Sequence, residues 1–233
     1  MIYVMSDLHG YPTQKFLKIL ENINFSNEDF LYVLGDVVDR GADGVKILKW
    51  LMQNKNTQLL LGNHELMMLN CEFLFEDGYD LANIPLYGKR RNDYAVWTSN
   101  GGLVTIDALN GTRSSELKYI FEYLKNAPLY KELTVNVRKF VLTHSGLGNF
   151  HKEKPLEEYS ATDLLWHRPT CYTDYFEDKT TVFGHTPTLL LDPSCKGRAV
   201  RTETWICIDV GAGSGITPMV LRLDDLKEFY FDL

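Results

Sequence analysis

The chain has 233 residues, 45% of them apolar and 24% charged, with a net charge of −7 and a pI near 5.4. That balance belongs to an ordinary globular protein and excludes a disordered or fibrous role. The acidic excess also removes the basic footprint of a protein that coats a nucleic-acid polymer.

The N-terminal residues 2–5 read as an apolar strand that runs straight into Ser6-Asp7-Leu8-His9. No basic region or long apolar core precedes it, so it does not read as a signal peptide. No apolar run reaches the roughly 18 residues of a membrane span. Helical spacing of Phe16, Leu17, Leu20 and Ile23 predicts a helix over 13–23. Residues 30–34 read as a buried strand. Val45, Leu48, Leu51 and Met52 mark a second helix, and 58–61 a third strand. A Leu- and Met-rich helix follows His64. This alternation predicts a parallel sheet with helices on its faces.

Residues 78–115 carry Tyr, Trp, Gly, Lys and Arg without a clean period and read as a helical excursion with loops. A helix over 114–126 is expected, with Ser114 as its N-cap. Strands are then expected at 129–135 and 138–143, joined by a tight turn at Asn136, and at 180–184, 204–210, 217–223 and 227–231. Short strands in succession predict a second sheet, antiparallel or mixed. The whole is α/β, a sandwich of two sheets with outer helices, in a single domain over 1–233.

The four cysteines (Cys71, Cys171, Cys195, Cys207) have neither CxxC nor zinc-site spacing and decide little by their number; with an N-terminus that reads as a strand and no apolar span, a cytoplasmic protein with reduced thiols is expected. No hydrophobic heptads suggest a coiled-coil dimer, and a monomer is expected.

The chemistry gathers at strand ends. Strand one ends in Asp7-Leu8-His9-Gly10, strand two in Gly35-Asp36-Val37-Val38-Asp39-Arg40-Gly41 and strand three in Gly62-Asn63-His64-Glu65. Later strands add Thr143-His144-Ser145-Gly146 and Phe183-Gly184-His185-Thr186-Pro187. In an open α/β sheet such ends converge on one crevice. Carboxylate, imidazole and amide oxygen together form a ligand set for divalent transition metals. So many ligands suit two metals sharing a carboxylate, an arrangement fitted to displacement at phosphorus. His64-Glu65 begins like a zinc-protease helix, but Met68 stands where the second His is required.

The ordered series Asp7-x-His9, Gly35-Asp36-x-x-Asp39-Arg40-Gly41, Gly62-Asn63-His64-Glu65, His144-Ser145-Gly146 and Gly184-His185-Thr186 resembles the phosphoprotein phosphatase (PPP-type) branch of the calcineurin-like metallophosphoesterases, in its bacterial and phage form. The resemblance implies two mixed sheets in a sandwich and two divalent metals, manganese first, with iron, zinc or nickel as the other choices. It implies Asp7 and His9 on one metal, Asp36 bridging, and Asn63, His144 and His185 on the other. Arg40 would hold phosphate. His64 would protonate the leaving oxygen, oriented by Asp39, while a water bridging the metals attacks phosphorus directly. Arg168, after Leu164-Leu165-Trp166-His167, resembles a second phosphate-binding arginine.

Three departures matter. Ser6 replaces the usual Gly. Leu61 stands where many protein phosphatases carry a substrate-contacting Arg. Pro187 stands where related nucleases have a second His. The expected activity is a serine/threonine protein phosphatase. The alternative is hydrolysis of diadenosine tetraphosphate or a related dinucleotide, and a remote one is a non-catalytic scaffold. The expected partner is accordingly a phosphorylated protein or nucleotide. Two further features read blandly. Gly211-Ala212-Gly213-Ser214-Gly215 is a turn between strands, since no helix N-terminus follows it. Lys89-Arg90-Arg91 is a solvated loop.

Overall fold

The computed structural model describes residues 1–76, 84, 87–195 and 197–233. β1 (Ile2–Met5), β2 (Phe30–Val33) and β3 (Thr57–Leu59) lie parallel, connected by α1 (Thr13–Asn22) and α2 (Gly44–Gln53). After β3 come α3 (Asn63–Asn70), α4 (Lys89–Ser99), α5 (Leu103–Leu109) and α6 (Ser114–Lys125). The expected excursion over 78–115 is thus helical from 89 onward; its part at 78–83, 85 and 86 lies outside the described residues. Ser114 is the first residue of α6 rather than its cap, because the extended backbone of Arg113 (ψ 139°) already occupies the cap position.

β4 (Tyr130–Val135) and β5 (Arg138–Thr143) form a hairpin whose turn places Asn136 at φ 56°. α7 (Ala161–Leu165), β6 (Thr180–Phe183), α8 (Thr188–Leu191), β7 (Val200–Arg201) and β8 (Trp205–Cys207) follow. β5, β6 and β8 are parallel, and the second sheet runs β4-β5-β6-β8-β7. The last two strands, β9 (Val220–Arg222) and β10 (Lys227–Phe229), correct the expectation of one C-terminal sheet. They join the first sheet, in the order β10-β9-β1-β2-β3, with β9 antiparallel to β1. The free edge of β1 offers unpaired backbone groups, and β9 satisfies them.

Period-two alternation explains the layers. In β1, Tyr3 and Met5 face the helices while Val4 faces the other sheet. Along β2, Leu31 and Val33 face the helices while Tyr32, and Leu34 just beyond the strand, face inward. Phe140, Leu142, Val182 and Ile206 of the second sheet meet that same inner core. Val141, Phe183, Trp205 and Cys207 turn outward into a third cluster. A helical layer therefore covers only one face of the first sheet, and the second sheet covers the other. A one-residue slip in any of these strands would exchange its two buried faces, each side chain being worth about 1.5–3 kcal/mol of burial. The carboxyl ends of both parallel triplets meet along one edge of the sandwich.

Candidate metal centre

The residues beyond β1, β2, β3, β5 and β6 meet at that edge. Asp7, His9, Asp36, Asp39, Asn63, His64, His144 and His185 are all buried. Asp7, His9, Asp36, Asp39, Arg40 and His185 have positive φ, between 42° and 71°. Non-glycine residues seldom adopt this region, and their concentration here shows backbone held for the sake of side-chain placement.

Asp36 lies at the middle. Its Oδ1 is 3.4 Å from His144 Nε2, and its Oδ2 is 3.6 Å from His9 Nε2 and 3.8 Å from His64 Nε2. Each oxygen thus faces a different group of ligands. One group comprises His9, Asp36 and His64, the other Asp36, His144 and His185, with ligand atoms within 4.8 Å in each. Asn63 Oδ1 joins the second group, 2.8 Å from His144 Nε2 and 2.9 Å from His185 Nδ1. Asp7 lies outside the first group. Its Oδ2 accepts from Ser6 Oγ and from the His185 N–H at 2.9 Å, which leaves its other oxygen for a metal. Ser6, which replaces the usual Gly, orients this carboxylate. Gly184 lets it approach, since a Cβ there would stand 2.0 Å from Asp7 Oδ2.

Proton counting shows that the donor set fits a cation. His144 donates its Nδ1 proton to Leu34 O at 2.7 Å, so Nε2 offers a lone pair. His9 does the same toward Val38 O at 3.3 Å. Asn63 Oδ1 and His144 Nε2 are then acceptors 2.8 Å apart with His185 Nδ1 beside them, next to Asp36 Oδ1, which already takes the His64 N–H at 3.0 Å. Even if His185 carries its proton on Nδ1, one proton cannot serve them all. A divalent cation can, and carbonyl partners behind ligating histidines are the usual support of such a site.

The electrostatics agree. Burial would raise the Asp36 carboxyl, but the imidazoles of His144, His64 and His9 outweigh it and hold it well below the ordinary carboxylate range. Burial, with Asp209 and Asp36 nearby, pushes Asp7 up. Burial pushes His9 down to about 3 and lowers His144. Crowded carboxylates among neutral imidazoles are what positive ions relieve.

His64 differs from the other imidazoles. Its Nδ1 lies 2.6 Å from Asp39 Oδ2. Burial would lower it, yet the Asp36 charge and the Asp39 hydrogen bond and charge raise it overall. Arg40 Nη2 is 3.3 Å from His64 Nε2. Arg168 donates to His185 O at 2.9 Å. Both arginines line a cleft of about 180 Å³ with His9, Asp36, Asn63 and His64.

Several residues of the site were not marked by sequence reasoning. Glu65 accepts the N–H groups of Asp36 (2.8 Å), Val37 (2.8 Å), Val38 (3.2 Å) and Gly62 (3.0 Å), and so shapes the Asp36 loop. Asp209 lines the cleft; burial and then Asp36 push it up to about 7 against the hydrogen bond from Gly211 N–H. The strand expected over 204–210 ends at Cys207, and Asp209 is one more strand-end acid. Asn100, Trp166, Pro187 and Leu190 also line the cleft. The glycine loop is more than a turn. A Cβ on Gly213 would lie 2.6 Å from both Arg40 Nη1 and His9 Cδ2, so this wall of the site requires glycine. Lys89 and Arg90 lie away from the cleft, held by Asp93 at 2.6 Å and over the Phe73 ring at 4.9 Å.

The profile of the calcineurin-like phosphoesterases matches residues 1–208. Among curated proteins, a symmetrical bis(5'-nucleosyl)-tetraphosphatase of Buchnera aphidicola subsp. Schizaphis graminum is 39% identical over 71 residues, covering 29% of this chain and 25% of the relative. Its counterpart from the subspecies Baizongia pistaciae is 24% identical over 147 residues, covering 62% and 43%. The matches thus span a quarter to less than half the length of these relatives. A solved structure titled a putative diadenosine tetraphosphatase superposes with TM-score 0.66 at 14% identity, over 98% of this chain and 91% of its own. A protein serine/threonine phosphatase from Saccharomyces cerevisiae superposes with TM-score 0.53 at 15% identity, over 89% and 66%. These two likenesses concern the fold.

Proposed function

From the premise that the chain belongs to the calcineurin-like phosphoesterases, we propose that it is a metal-dependent hydrolase of dinucleoside polyphosphates, diadenosine tetraphosphate in particular. Two divalent ions, manganese first, would supply Lewis acidity toward phosphoryl oxygens and lower the pKa of water. Asp7, His9, Asn63, His144 and His185 would hold them, with Asp36 between.

The observation that carries the substrate reading is the make-up of the cleft. Arg40 and Arg168 line it together, beside the indole of Trp166, which is 40% exposed. Two guanidinium forks suit a chain of phosphates, and an exposed flat ring suits a base. Leu61 is buried and offers nothing to a substrate where many protein phosphatases carry Arg. The names of the curated relatives support the same reading.

His64 would deliver a proton to the leaving oxygen while Asp39 holds the opposite ring nitrogen. A phosphate that draws Arg40 away from His64 Nε2 frees that nitrogen to carry the proton. The intact Asp39–His64 pair also favours a second reading, a serine/threonine phosphoprotein phosphatase. An alkoxide leaves only with a proton, whereas a nucleoside diphosphate is a much better leaving group.

The test is a side-by-side kinetic comparison with manganese. We expect diadenosine tetraphosphate to give ADP with a clearly higher kcat/KM than phosphoserine and phosphothreonine peptides. A clear preference for the peptides overturns the dinucleotide reading in favour of the second.

A further inference from the structure

We propose that Trp97 and Thr105, at the α4–α5 corner, are positioning residues that hold Asp39 in the orientation His64 needs as an acid. This rests on the role of His64 given above.

Asp39 is fully buried and has φ 71°, a strained conformation for an aspartate. A carboxylate without water must find its partners in the protein. Asp39 Oδ2 faces His64 Nδ1 at 2.6 Å and accepts from Trp97 Nε1 at 2.9 Å. Oδ1 accepts from Thr105 Oγ1 at 2.6 Å and from Trp97 Nε1 at 3.1 Å. The Thr105 hydroxyl in turn accepts the Asp39 N–H at 3.0 Å. One threonine therefore grips both the backbone and the side chain of the strained residue. The indole, shared by the two oxygens, fixes the plane of the carboxylate.

The corner itself is built to bring these groups inward. Gly102 packs so tightly on the indole that a Cβ there would lie 2.6 Å from the ring. Gly101 turns the chain at φ 99°, and its carbonyl accepts the Arg40 N–H at 3.1 Å. The same corner thus holds Asp39 by its carboxylate and Arg40 by its backbone. Trp97 and Thr105 are almost wholly buried, so neither touches substrate; they act through Asp39. This assigns a task to the helical part of the excursion after α3.

A purely structural role would lower all activity alike, whereas misplacing an acid harms poor leaving groups most. The experiment compares kcat on p-nitrophenyl phosphate and phenyl phosphate, two esters of similar size with good and poor leaving groups. In the wild type, a water forms a new P–O bond and loses a proton to solvent as the ester P–O bond breaks, while His64 gives its Nε2 proton to the departing phenolate oxygen and regains one from solvent. His64→Asn should raise the p-nitrophenyl/phenyl ratio by about 10²–10⁴. Thr105→Val and Trp97→Phe should each raise it about tenfold with KM unchanged, the scale of a small displacement of a reacting group. Thr105→Ser, which keeps the hydroxyl, should restore the wild-type ratio. In the metal-free protein, the low-field His64 Nδ1 proton resonance should move in Thr105→Val and stay in Thr105→Ser. An unchanged ratio, or an unmoved resonance, in Thr105→Val overturns the positioning role. An unchanged ratio in His64→Asn overturns the acid role itself, and the positioning role with it.

Discussion

His9 and His64 stand on one side of Asp36 and His144 on the other, yet the three imidazoles divide differently by what lies behind them. His9 and His144 donate to backbone carbonyls, Val38 O and Leu34 O. His64 faces a carboxylate, Asp39, at 2.6 Å. A carbonyl fixes the tautomer and leaves the far nitrogen a neutral lone pair, suited to a cation. A carboxylate stabilises the imidazolium and suits the ring to carrying a proton. Burial lowers His9 and His144, whereas for His64 the acid partners overcome burial and raise it. Equally buried histidines a few ångströms apart are thus set for different work by a single hydrogen-bond partner.

The largest test of this division is Asp36→Asn. Removing the shared charge should empty or half-empty the centre, read by metal content, and abolish turnover. Full occupancy would refute the bridging role. Next is His64→Asn, expected to lower kcat on a poor leaving group such as phenyl phosphate by about 10²–10⁴ with metal content unchanged. His64 also lies within ligand distance of His9 and Asp36, so loss of metal in this variant would make it a ligand and dissolve the contrast.

Trp166→Ala leaves both kinds of histidine in place and separates recognition from chemistry. We expect KM for diadenosine tetraphosphate to rise about tenfold, the scale of one base–aromatic stack, with kcat little changed. A fall in kcat with KM unchanged would remove the indole from substrate binding. The smallest effect concerns pH. An acid must be protonated, so activity falls as pH rises through the His64 pKa, which lies above its ordinary 6.5. Asp39→Asn removes part of what raises it. The alkaline limb of the kcat profile should therefore move to lower pH, and a limb that stays in place would show that Asp39 does not tune His64.

Much of the centre was legible in the chain because its chemistry demands particular residue types at strand ends. Asp7, His9, Asp36, Asn63, His144 and His185 could be marked for that reason, and the structure brings them to one edge. Asp209 escaped because the apolar run 204–210 reads as one strand through it, whereas pairing ends at Cys207. Glu65 was visible only as part of a motif; its grip on four backbone N–H groups depends on a loop from another strand. Trp97 and Thr105 carried no signal, since a Trp and a Thr in helices without a clean period read as packing.

The amino-acid sequence by itself determined the alternation of strands and helices, the two faces of each buried strand and the supply of ligands, because side-chain period and chemistry are local properties. Tertiary structure alone decided that β9 and β10 return to the first sheet, that Gly213 closes on Arg40 and His9, and that Trp97 and Thr105 reach Asp39. Those outcomes depend on which backbone edge is left unpaired and which distant segments pack together, and no local pattern in the chain encodes them.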